Sequence, residues 1–296
     1  MRFKVWHKKG RYAFVLPCIV ILIALVIYPL LFLIRVSFSV QDLTTGEIKF
    51  AGLVNYLRML GDGRLINGVR VTTLYTVGVV ALQCITGLIF GLVITGLRTK
   101  VQKPVLLLCI TPVLISPILT GFMWSQLLDT TFGVVNYMLM RLGLIHSMSE
   151  IRWTLDPVLG IVTLIVVDSW QWTPFMGLIC MAGLLSIPED LLEAAQIDAL
   201  TKWQKFKHVT WFYLRPVMLV GLLFRAVDTA RGLDLLYTLT RATPAGSTEA
   251  LAYYIYRTGF EYFDMGYAAA LSWILIAVVS ILTNLLVKII TWGEVR

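Results

Sequence analysis

Long apolar runs frame this chain. Windows of about 20 residues with almost no charge, the length that crosses the hydrocarbon core of a bilayer, fall at 13–34, 72–96, 105–127, 158–185, 216–236 and 267–290. They predict about six membrane-spanning helices. Between the fourth and fifth windows the pattern changes, because acidic, basic and apolar residues mix from Ser186 to Pro216. Hydrocarbon does not accept such a mixture, since each exposed polar group there costs several kcal/mol, so this segment must project into water.

Ser186-Ile187-Pro188-Glu189 has the S-x-x-E spacing of a capping box, with proline in the first turn, and predicts a short helix carrying Leu192, Glu193 and Ile197. Thr201 and Gln204 repeat the spacing, and Trp203, Phe206, Thr210 and Tyr213 recur at helical intervals. The segment reads as two short helices joined by a turn near Asp198-Ala199-Leu200. Taken alone, such an amphipathic hairpin is either a solvated loop or a surface for a partner.

Two further segments lie between spans. Residues 37–65 mix the turn signal Thr44-Thr45-Gly46 with Phe50, Leu53 and Tyr56 at helix-like spacing, which predicts packing against the membrane surface. Residues 129–156 carry Val135, Met138, Leu139 and Leu142 as an apolar stripe expected to pack on the bundle.

Composition fixes the class: 58% hydrophobic and 14% charged residues describe an integral membrane protein. The formal charge of +8 is explained by topology. Arg2, Lys4, Lys8, Lys9 and Arg11 at the N-terminus, Arg98, Lys100 and Lys103, and Lys202, Lys205, Lys207 and Arg215 fall on one side of successive spans, which predicts cytoplasmic termini and a cytoplasmic hairpin. No basic stripe interleaved with aromatics points to nucleic acid. The first span has the basic lead of a signal peptide, but its apolar run is long and no small-residue cleavage site follows, so it reads as an anchor. Cys18, Cys84, Cys109 and Cys180 sit in apolar runs without metal-ligand spacing and read as core residues. Pro17, Pro29, Pro112, Pro117 and Pro174 fall inside spans, as kinks or hinges.

Charges at bilayer depth are costly and face a partner or a watery cavity. Asp168 lies beside Trp170, Gln171 and Trp172, the hydrogen-bonding and stacking chemistry of a sugar site, or else an interfacial aromatic belt with Asp168 in a helix contact. In the fifth window Arg225, Asp228, Arg231 and Asp234 recur at i, i+3. They either neutralise one another along the helix or, at Asp228 and Arg231, line a translocation cavity whose arginines accept an anionic substituent such as phosphate or sulfonate.

No G-x-x-x-x-G-K-[ST] phosphate cradle is present, so the chain does not hydrolyse ATP by itself. Neither H-E-x-x-H nor G-x-S-x-G occurs, and His7, His146 and His208 lie near or beyond span ends, which argues against a membrane-embedded enzyme. A secondary transporter or channel working without an ATPase is the alternative that hydropathy leaves open.

Glu193-Ala194-Ala195, then Asp198, Phe206 and Pro216, is similar to the EAA motif of ATP-binding-cassette (ABC) importer permeases. Phe50-Ala51-Gly52-Leu53-Val54-Asn55-Tyr56, Trp170-Gln171-Trp172-Thr173-Pro174-Phe175, and Asp234 to Thr240 leading to Pro244 and Ser247-Thr248-Glu249 resemble the carbohydrate-uptake branch, in particular the maltose- and glycerol-phosphate-type first permease. The resemblance implies an all-α, type I importer permease fold over residues 1–296, with 186–216 as its coupling-helix hairpin, in a bacterial cytoplasmic membrane. It also implies a second homologous permease, two ATPase subunits that hold ATP and Mg, a periplasmic solute-binding protein and a sugar-like solute. Glu193, Ala194, Ala195, Asp198, Ala199 and Phe206 would form the surface that docks on the ATPase. The family has glycine after the aspartate, where this chain has Ala199. Alanine there implies either a right-handed turn or strain of about 1 kcal/mol.

Overall fold

The computed structural model describes residues 8–41, 48–241 and 246–291; the expectations placed on Arg2, Lys4, His7, Thr44-Thr45-Gly46 and Pro244 lie outside them. The order is α1 (Lys8–Leu22), α2 (Tyr28–Ser37), β1 (Ser39–Gln41), β2 (Ile48–Phe50), α3 (Val54–Met59), α4 (Gly63–Gly96), α5 (Thr99–Ile110) and α6 (Pro117–Leu127). Then follow α7 (Val134–Arg141), α8 (Pro157–Leu185), α9 (Glu189–Ile197), α10 (Lys202–Lys205), α11 (Trp211–Arg231), α12 (Asp234–Leu239), α13 (Leu251–Tyr256) and α14 (Met265–Thr291).

Among the described residues five helices, at 15–37, 63–96, 157–185, 202–231 and 265–288, are long and apolar enough to cross a membrane. A sixth crossing exists only if α5 and α6 count as one, and they meet at 92°. The span expected at 105–127, with Pro112 and Pro117 inside it as kinks or hinges, is therefore a broken one. Pro112 sits in a 3-10 turn at Thr111–Leu114, Ile115 and Ser116 are extended, and Pro117 restarts the helix at its first turn. Two prolines without backbone N–H groups leave no helical hydrogen bonds to carry the axis through. The expected window 216–236 is also cut, because α11 stops at Arg231 and Asp234 opens α12.

The chain divides into two units, one made of residues up to Asp62 with Ile255–Ile274, the other of Gly63–Tyr254 with the residues from Leu275 onward. In the first unit β1 and β2 pair antiparallel, Ser39 opposite Phe50, and Gly52 turns the chain with φ +59°. Asn55 then donates to the carbonyls of Ser37 and Ser39, both at 2.9 Å, which ties α3 to the ribbon. Arg58 pairs with Asp264 at 2.6 Å and lies over the ring of Tyr267. The helix-like spacing expected of Phe50, Leu53 and Tyr56 thus spans a strand end and a helix start, and Phe50 and Leu53 are exposed.

In the second unit α4 and α8 pack along their lengths, with α11 and α12 against them. Gly87 and Gly91 lie at this contact, where a methyl group would meet Met176 and Cys180. Small residues four apart let two membrane helices bring their backbones together. Val71, Tyr75 and Val79 of α4, Leu164 and Val167 of α8, and Leu235, Leu236 and Leu239 of α12 form the largest apolar cluster of this unit. Residues 129–156 depart from expectation in part: Met138 and Leu142 are exposed, Val135 and Leu139 are half-buried, and within α7 the buried residue is Asn136. Asn136 donates to the carbonyls of Met148 and Ile151 and accepts from the Trp153 indole at 2.7 Å, so a polar hub beside the half-buried part of the stripe ties this segment together.

Candidate functional site

The hairpin begins differently from its sequence pattern. Ser186 is the C-terminal cap of α8, and its hydroxyl donates back to the Gly183 carbonyl, so Pro188 rather than a serine box caps α9. The second box forms as expected, with the Gln204 amide N–H donating to the Thr201 hydroxyl and the Thr201 amide N–H donating to Gln204 Oε1. The second helix is not short, however. It passes through a π-helical turn at Phe206–Thr210 and continues into α11, one helical run from Lys202 to Arg231.

The turn between the helices resolves the alternatives posed by Ala199. Its φ is +51°, in the left-handed region. The Ala199 amide donates to the Gln196 carbonyl at 3.0 Å and the Leu200 amide to the Ala195 carbonyl at 3.1 Å. These are the two bonds of a Schellman motif, and alanine in its left-handed position costs about 1 kcal/mol relative to glycine. Of the six residues expected to dock on the ATPase, Ala195 is buried on the side of α9 that meets the π-helical turn, and Phe206 is half-buried, stacked on Trp203 at 5.8 Å. Glu193, Ala194, Asp198 and Ala199 are exposed. Ile197 is 84% and Trp203 70% exposed, so large apolar side chains flank the acidic ones on the open face.

The second cluster lies among α4, α8 and α11. Arg225, 1% exposed, donates to Asp168, to Asp228 at 2.6 Å and to Gln83 Oε1 at 3.0 Å, and its guanidinium lies 4.4 Å from the centre of the Trp172 ring. Asp168 also accepts from the Tyr75 hydroxyl at 2.6 Å and from Gln83 Nε2 at 2.9 Å. Three helices thus share one buried ion network, in which every charge has an opposite partner. Its accessible edge is Asp228, 33% exposed, held 3.5 Å from Arg231, which is 65% exposed. Asp234 lies past the helix end, so the i, i+3 series on one helix stops at Arg231.

The structure brings together Asp168, Trp172, Asp228 and Arg231. It does not bring Trp170 and Gln171 to them. At about 100° per residue these point elsewhere: Trp170 meets Trp124 edge-on at 5.5 Å, and Gln171 donates to the Ile115 carbonyl at 2.7 Å. Tyr75, Gln83 and Arg225 complete the network without having been singled out as site residues. The signal for Tyr75 and Gln83 was two polar side chains eight residues apart on α4, and that for Arg225 its place in the i, i+3 series.

A family profile described as "Binding-protein-dependent transport system inner membrane component" matches residues 83–291. The chain is 32% identical over 268 residues to a probable ABC transporter permease protein, y4oQ, of Sinorhizobium fredii, covering 90% of this chain and 85% of that one. It is 30% identical to the trehalose/maltose transport system permease protein MalF of Thermococcus litoralis, covering 90% and 87%. Its fold is similar to a chain in the crystal structure of a bacterial ABC transporter involved in import of the acidic polysaccharide alginate, with a TM-score of 0.80 at 21% identity and 94% of each chain covered.

Proposed function

Because this chain belongs to the family of binding-protein-dependent transport system inner membrane components, we propose that it is the permease subunit of an ATP-driven importer. With a second homologous permease it would form the path by which a carbohydrate or polyol, delivered by a periplasmic binding protein, crosses the cytoplasmic membrane. ATP and Mg would sit in two partner ATPase subunits. The observation that carries this reading is the hairpin, where Glu193, Asp198, Ile197 and Trp203 face solvent around a turn fixed by two backbone bonds and a capping box. A rigid surface with exposed apolar anchors and acidic groups suits docking to a protein partner on the cytoplasmic side.

The helical run from Lys202 to Arg231 joins that surface to the ion network. An ATPase that grips the hairpin differently in two states can therefore bias the position of α11, which is what coupling requires. At the network, Asp228, Arg231 and Trp172 form the solute-facing group, while Asp168, buried behind them, positions Arg225. Trp170 and Gln171 would meet solute only from a second wall. The exposed Arg231 can accept an anionic substituent, a phosphate or sulfonate, beside the sugar hydroxyls.

The test is reconstitution. Co-purification with ATPase subunits, and uptake that needs both ATP and the binding protein, is the expected result; full uptake by this chain alone would overturn the reading in favour of a secondary transporter or channel.

A further inference from the structure

A cavity of about 370 Å3 opens between α4, α11 and α14. Val80 and Cys84, Met218 and Leu222, and Leu282 and Leu286 supply its walls, with Trp211 and Arg215 at one end and Thr76 among the α4 residues. The hydrogen-bonding side chains on this wall are thus few. The Thr76 hydroxyl is buried without a partner. A water needs two to four polar partners, and a sugar more, so this lining does not suit a hydrated solute.

Arg215 gives the cavity its polarity. It is the single charged residue on the wall and, among the described residues, it makes no hydrogen bond, ion pair or ring contact. An unpaired guanidinium beside apolar surface in a membrane is unfavourable and calls for an anion. Its place along the helix fits the boundary between headgroups and acyl chains. Lys202, Lys205, Lys207 and His208 precede it, Trp211 stands one turn before it, and the positions from Val217 to Phe224 are almost all apolar. Aromatic and basic side chains mark that interface. From Arg215 to Leu222 the wall runs seven residues, about 10 Å of helix along which an acyl chain can lie.

We propose that this cavity binds an anionic phospholipid, with its phosphodiester on Arg215 and one acyl chain laid between α4, α11 and α14. A zwitterionic lipid offers the same chain but carries an ammonium that offsets the phosphate, so the site distinguishes lipids by headgroup charge. Arg215 is outside the ion network and is not among the residues expected to dock on the ATPase, and the site does not depend on which solute is carried.

The experiment uses the full chain in its assembled transporter, delipidated in mild detergent and incubated with phosphatidylglycerol or phosphatidylcholine. Bound lipid is then counted by native mass spectrometry. The wild-type protein should retain phosphatidylglycerol in preference. Arg215→Gln should lower that preference about fivefold, the worth of one basic residue toward an anionic headgroup, while still holding phosphatidylcholine. Arg215→Lys should keep most of the preference, and Ala81→Trp, which fills the cavity, should lose both lipids. Equal retention of the two lipids by the wild type, or a preference unchanged in Arg215→Gln, overturns the proposal. So does efficient cross-linking of Leu282→Cys to the second permease, which would make the groove a subunit interface.

Discussion

Loss of Arg225 would break a buried ion network. This arginine is the one cation seen paired with Asp168, whose side chain is itself buried, whereas Arg225 has a second carboxylate in Asp228. Arg225→Met keeps the length and apolar stem but leaves Asp168 with only the Tyr75 hydroxyl and the Gln83 amide. An uncompensated buried charge costs about 3–5 kcal/mol. Gln83 Oε1 also loses its donor, a further penalty of about 1–3 kcal/mol that packing of the methionine partly offsets. Asp168→Asn should cost less, because Arg225 keeps Asp228 at 2.6 Å. The double variant, with neither charge, should be more stable than Arg225→Met alone, giving a coupling of at least about 1 kcal/mol. Arg231→Met, at the exposed edge, is the control and should change stability by less than about 1 kcal/mol. Equilibrium unfolding in mixed detergent micelles measures all four. If Arg225→Met unfolds within about 0.5 kcal/mol of wild type, or the two changes simply add, the network is not a charge-balanced unit and the argument fails.

Ala199→Gly should stabilise the protein by about 0.5–1 kcal/mol through relief of the left-handed alanine, seen in the same unfolding assay; a loss of stability would contradict the Schellman geometry. Glu193→Lys should cut solute-stimulated ATPase activity of the assembled transporter at least about tenfold, as expected for reversing a docking charge, with membrane abundance unchanged; undiminished coupling would remove Glu193 from the docking surface. Substrate affinity should weaken in Arg231→Ala and Asp228→Ala, read as a raised KM for uptake, and unaltered kinetics would place solute elsewhere. The backbone N–H of His146, at 2.6 Å, holds the Glu150 carboxyl below its ordinary pKa, so the bond contributes above the usual glutamate range and is lost as pH falls through the lowered value. Exchange of the His146 amide should rise in that acid window, and a flat profile would show that the bond does not form.

Legibility from sequence followed the range of the forces. Thr201 and Gln204 were readable because a capping box is closed within four residues, and Ala199 was flagged because its conformational preference is local. Ser186 misled for the same reason: the pattern was local, but the end of α8 claimed the residue first. The apolar windows gave the helices, and Pro112 and Pro117 marked a place to bend, but the 92° angle was not legible, since it depends on how two missing N–H groups act together with the extended residues between them. The i, i+3 spacing showed Arg225 near Asp228. It could not show Asp168, 57 residues away, nor Tyr75 and Gln83 on a third helix. The stripe held at Val135 and Leu139, which are half-buried, but it could not show Asn136, whose hydrogen bonds run to a following loop.

The unbroken run from Lys202 to Arg231 makes the hairpin and the ion network two ends of one lever. Thirty residues at helical rise form a rod of about 45 Å, and a tilt of about 10° around its midpoint moves each end by about 4 Å, in opposite directions. Trp203 at one end cannot then be displaced without Arg231 moving at the other, unless the π-helical turn at Phe206–Thr210 or the helix at Pro216 flexes and absorbs the stroke. The gearing between a push on the hairpin and the response at the ion network is set by the stiffness of the short stretch from Phe206 to Pro216.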